Sequence, residues 1–102
     1  MSRTPIHPGE ILADELDEIK ISAAELARML GVPPNRISQI IVGKRAISAD
    51  TALRLGRYFG TSPEFWMNLR KTYELDLARQ QLGSSISHIP RRESKAFAEA
   101  RG

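Results

Sequence analysis

The 102 residues predict an all-α chain of five short helices. Apolar residues recur at helical spacings in one segment after another. The same segments open on capping residues and close on glycines. A hydrophobic content of 41% suffices for one modest core, so a single domain is expected.

Met1 to His7 reads as a loose leader in which Pro5 resists helix, and His7 reads as a turn or capping residue. Pro8 suits the first turn of helix 1, where its missing N–H costs nothing, and Glu10 suits the positive end of the helix dipole. Leu12, Leu16 and Ile19 then fall on one stripe, with the acids facing out, so helix 1 spans Pro8 to Ile19. Ser22 caps helix 2 and Glu25 completes a capping box. Leu26, Ala27 and Leu30 form its buried face, Gly31 ends it, and Val32 pins the turn to the core.

Pro33-Pro34 is expected to open helix 3, since a proline pair can start a helix but not sit within one. Ile37, Ile40 and Ile41 face inward, which leaves Asn35, Arg36, Ser38 and Gln39 pointing away from the core. Val42-Gly43 stops the helix, and Lys44-Arg45 follow at once. Helix 4 opens at Ser48, carries Ala52, Leu55 and Phe59 inward, and closes at Gly60. Ser62-Pro63-Glu64 starts helix 5 with a cap, a first-turn proline and an early acid.

Helix 5 has two apolar stripes: Phe65, Trp66, Leu69 and Tyr73, then Leu75, Ala78 and Leu82 on a different side. Either the second stripe meets another molecule or the two form one wide buried face. The domain is expected over residues 1–82, with a tail over 83–102. In that tail Gly83 to Pro90 is weakly patterned, and Arg91 to Gly102 has four bases, two acids and one large apolar residue, Phe97. A frayed helix or disorder suits Arg91 to Gly102.

Composition narrows the function. No segment has the ~20 continuous apolar residues of a membrane helix, and no signal-peptide run precedes Glu10. Cysteine is absent, so neither a disulfide framework nor a thiolate metal site is expected. A soluble, cytoplasmic chain without metal or cofactor is the expectation. The net charge of +3 is mild but unevenly spread. Glu10 to Lys20 holds five acids against one base, whereas Arg28 to Tyr58 holds six bases against one acid. The basic stretch suits phosphate. Catalysis is not expected. His7 and His88 each lack a second histidine nearby, Asp14 and Asp17 lack a basic or metal partner, and no phosphate loop or activated nucleophile is visible.

Helices 2 and 3 around Gly31 form the helix-turn-helix pattern, whose second helix is the one that enters the DNA major groove. Such a helix needs polar side chains for base edges, with cations and N–H groups beside it for phosphates. Arg36 suits a guanine, Asn35 or Gln39 an adenine, and Ser38 either a base edge or a phosphate. Lys44 and Arg45 lie where a flanking DNA backbone would run.

The residues Leu26 to Val32, Ile37 to Ile41, Gly43-Lys44-Arg45 and Ile47-Ser48 resemble the lambda-repressor-type helix-turn-helix family, also called XRE or Cro/C1. The flanking His7 to Leu12, Thr51 to Leu55, Gly60 to Leu69 and Tyr73 to Ala78 narrow the resemblance to HigA-type antitoxins of type II toxin–antitoxin pairs. That resemblance implies a five-helix DNA-binding domain and a homodimer on a palindromic operator in its own promoter. It also implies that the protein sequesters a small basic toxin, a RelE- or HigB-like messenger-RNA endonuclease. The base-reading positions then fall on Pro34, Asn35, Arg36, Ser38 and Gln39, and the phosphate-anchoring ones on Lys44, Arg45 and the start of helix 2.

Two departures from the family narrow that contact set. Ala23 stands where many relatives carry a phosphate-gripping glutamine, so only backbone N–H groups remain there. Pro33-Pro34 replaces the usual Ser or Thr cap of helix 3. Two further surfaces are expected. Trp66, Leu75, Ala78 and Leu82 on helix 5 are the candidate dimer interface. Asp14, Glu15 and Glu18 on helix 1 are the candidate toxin surface, with the basic tail as its rival. A stand-alone XRE-type regulator without a toxin is the alternative function.

Overall fold

A computed structural model describes residues 4–92. The chain order is α1 (Pro8–Ile19), α2 (Ala23–Leu30), α3 (Arg36–Ile41), α4 (Ala49–Phe59), α5 (Pro63–Leu82) and a 3-10 helix over Gly83–His88. No strand forms among the described residues, and no helix among them is long and apolar enough to cross a membrane.

The helix starts follow local chemistry. His7 caps α1: its Nδ1 accepts from the Gly9 N–H at 2.9 Å, and the Glu10 carboxylate accepts from the His7 N–H at 3.3 Å. Ser22 and Glu25 form the same reciprocal box on α2, at 3.1 and 2.8 Å. Ser48 and Ser62 cap α4 and α5 by accepting from Thr51 N–H and Phe65 N–H.

Helix α3 departs from the expectation. Pro33 and Pro34 lie in the preceding turn, and the helix begins at Arg36. The residue before a proline is pushed out of the helical region, so Pro33 cannot be helical ahead of Pro34. The turn closes instead with Arg36 N–H donating to Pro33 O at 2.9 Å. Asn35 becomes the N-cap, without a side-chain capping bond.

The core draws Leu12 and Leu16 from α1, Leu26, Ala27 and Leu30 from α2, and Ile37 and Ile40 from α3. Ile47 joins from the following loop, Ala52 and Leu55 from α4, and Trp66 from α5. Val32 and Phe59 pack on its edge. Helix α1 lies on α3 and α5, and α4 lies on α5 and α2. At the α1–α3 crossing Gly9 is buried under the end of α3. A Cβ there would meet the Ile40 carbonyl oxygen head-on and sit 2.8 Å from Ile41 Cα.

Only the first half of α5 is locked into this core. Trp66 is 1% exposed, and its Nε1 donates to Thr61 Oγ1 at 2.9 Å. Farther along, Asp76 is buried and accepts from Arg79 Nη1 at 3.1 Å. Leu75, Leu82 and Ile86 are exposed. The expected second stripe is thus separate from the buried one. The part of the expected tail over residues 93–102 lies outside the described residues.

Candidate nucleic-acid interface

Helix α3 is short because Gly43 ends it abruptly. With φ +82, Gly43 takes the left-handed backbone that folds the chain back over the last turn. Gly43 N–H then donates to Ile40 O at 3.1 Å, and Lys44 N–H to Gln39 O at 2.8 Å. This return brings Arg45 back onto α3 at Gln39, whereas Lys44 borders a cleft shared with His7, Tyr73 and Glu74.

Each candidate base reader has its own setting. Pro34 and Asn35 are exposed in the turn ahead of the helix. Ser38 is exposed, and its Oγ donates to Asn35 O at 3.1 Å. Gln39 is half-buried, and its Oε1 accepts from Arg45 Nε at 3.1 Å. Lys44 is exposed.

Arg36 differs from the expectation that it points away from the core. It is half-buried against the start of α4, with Nη1 donating to Thr51 Oγ1 at 3.4 Å and a buried Nε that has no hydrogen-bond partner. The first residue of so short a helix lies within reach of the α4 cap, and the long guanidinium stem covers the buried Thr51. Ala23, the first residue of α2, leans on the core edge, so only its backbone N–H is free to face outward.

The other two candidate surfaces lie elsewhere. On α5, Leu75 and Leu82 are each 47% exposed and Ala78 is half-buried. Together with Arg79, Gly83 and Ile86 they line a shallow apolar groove. Trp66 is not part of it: the ring is enclosed by this chain's own core, against Phe59 and Phe65, and has no surface to offer a partner. On α1, Asp14 and Glu18 are exposed and Glu15 is half-buried. No group of three potential metal ligands stands together among the described residues.

The helix-turn-helix family profile matches residues 12–66, from the core of α1 to Trp66. The chain belongs to that helix-turn-helix family. Within it, the chain is 48% identical to a solved addiction-module antidote protein of a HigA family from Coxiella burnetii, covering 89% of this chain and 100% of that one, with a TM-score of 0.85. It is 52% identical to the Pseudomonas aeruginosa antitoxin HigA solved with the higBA promoter, covering 86% and 97%, with a TM-score of 0.81. Among curated relatives it is 48% identical over 86 residues to the virulence-associated protein I of Dichelobacter nodosus, covering 83% of this chain and 80% of that one.

Two arginines that hold this helix-turn-helix domain in shape were not singled out from the sequence. Arg54 Nη1 donates to Leu30 O at 2.7 Å, which caps the end of α2, while its Nε pairs with Asp50. Arg70 Nη1 donates to Ile47 O at 3.1 Å, while its Nε pairs with Glu74. The Asp50–Arg54 and Arg70–Glu74 spacings are visible in the sequence as helix-surface pairs. The carbonyls those arginines reach are not.

Proposed function

We propose that this chain is an antitoxin that binds an operator in its own promoter as a homodimer and neutralises a basic, RelE- or HigB-like messenger-RNA endonuclease. The observation that carries the reading is the polar side of α3: Asn35, Ser38 and Gln39 share it, Arg45 is folded back onto Gln39, and Lys44 is exposed just past the helix end. Polar groups suited to base edges sit there next to cations suited to phosphates. The Pseudomonas relative was solved with the higBA promoter, which supports promoter DNA as the partner.

In this reading Pro34, Asn35, Ser38 and Gln39 face bases, while Lys44, Arg45 and the Ala23 N–H face phosphates. Arg36 links α3 to α4 through Nη1 and Thr51, which leaves its other terminal amino group for DNA. The Leu75–Ala78–Leu82 stripe joins two chains, and Asp14, Glu15 and Glu18 attract the toxin. Residues 1–82 form the working domain.

The test is co-expression with the adjacent reading frame, read out by growth rescue and co-purification, alongside binding of the purified chain to its own promoter DNA. Rescue with promoter binding is the expected result. Promoter binding without rescue or co-purification would leave a stand-alone XRE-type regulator. Failure to bind the promoter would remove the repressor half of the proposal.

A further inference from the structure

Gln39 and Arg45 are six residues apart, yet their side chains meet across the end of α3. The loop between them is held at both ends. At one end Gly43 turns the backbone, with Lys44 N–H fixed to Gln39 O at 2.8 Å. At the other, Ile47 is buried in the core and its carbonyl accepts from Arg70 Nη1 at 3.1 Å. Between these anchors Arg45 Nε donates to Gln39 Oε1 at 3.1 Å.

A guanidinium carries donors and no acceptor. Only the oxygen of the Gln39 amide can therefore face it; a flipped amide would set N–H against N–H. A glutamine amide left free exchanges its donor and acceptor ends by a half-turn and so accommodates more than one base edge. Here the NH2 end is turned in one fixed direction. The fork geometry of arginine lets Nε hold the amide while its terminal amino groups remain for phosphate.

We propose that Arg45 is a positioning residue for base readout: by holding the Gln39 amide oxygen it fixes which base α3 prefers at the Gln39 position, in addition to meeting phosphate. This rests on the reading of α3 as the DNA-facing helix, and the test separates the two. Duplexes from the chain's own promoter, with every half-site position set to each of the four bases, are titrated with wild type, Arg45→Ala, Gln39→Ala and the double variant. Gln39→Ala identifies the position that Gln39 reads. Arg45→Ala is expected to shrink discrimination at that position about fivefold or more, the lower end of what a bidentate contact supplies, on top of a uniform loss at all positions. In the Gln39→Ala background, Arg45→Ala should give the uniform loss alone. If Arg45→Ala weakens every duplex equally, Arg45 serves phosphate only, and the proposal is overturned with the α3 reading intact. If Gln39→Ala changes neither affinity nor preference, the docking of α3 falls and the proposal with it.

Discussion

Gly9 has the least room for a side chain of the described glycines. Alanine is the better helix former by roughly 1 kcal/mol. Yet a Cβ at this site would enter the backbone of Ile40 and Ile41. Gly9→Ala should therefore destabilise the fold by about 1–3 kcal/mol, read by urea denaturation, because backbone cannot step aside as a side-chain tip can. A gain in stability would mean that α1 and α3 separate without cost. Glu25 gives a second test. The Ser22 N–H holds its carboxyl below the ordinary glutamate value, helped by the Ser22 hydroxyl; desolvation opposes them, and the Arg28 charge adds the least. A lowered carboxyl pKa contributes stability that is present above the ordinary value of about 4.5 and lost as pH falls through the lowered one. Glu25→Gln keeps an acceptor but cannot titrate, so its acid-denaturation curve should be shallower below pH about 4.5. An unchanged acid limb would show that the carboxylate contributes no pH dependence.

At the scale of elements, legibility followed distance along the chain. The Ser22–Glu25 box and the Ser48 and Ser62 caps bind three residues away, so their pattern is contiguous text. Arg36–Thr51, Arg70–Ile47 and Arg54–Leu30 span 15, 23 and 24 residues and exist only once the helices have packed. For the same reason Arg36 and Trp66 were misplaced. Periodicity says which side of a helix is apolar, not what another element lays against it. The start of α3 is a different case, since the Pro33-Pro34 pair contained the answer in its own sterics. The two stripes of α5 were readable, and the structure tells them apart at Trp66, which is buried, whereas Leu75 and Leu82 are about half exposed, as is Phe65 of the first stripe. Replacing Leu75 and Leu82 together by Asp should leave the chain folded, read by its helical circular dichroism, because neither side chain is in the core. The variant should sediment as a monomer and lose most of its promoter affinity. A variant that still sediments as a dimer would place the interface elsewhere.

At the scale of the whole molecule, charge separates the proposed tasks. Bases cluster from Arg28 to Tyr58 and acids from Glu10 to Lys20, a division that suits a polyanion on one stretch and a basic protein on the other. Lys44→Ala should weaken promoter binding evenly across sequences and lower the slope of log K against log salt by roughly one unit per chain. A change in base preference would show that Lys44 reads sequence. Reversing Asp14, Glu15 and Glu18 should slow toxin association at low salt while leaving promoter binding near wild type; an unchanged association rate would exclude α1 as the steering surface. The bare stripe on α5 has a consequence for gene dosage. Where it pairs two chains and most chains are single, the number of pairs rises with the square of their concentration, so losing half the protein leaves about a quarter of the operator-binding species. Repression would then lapse steeply as the chain is degraded, well before the last copies are gone.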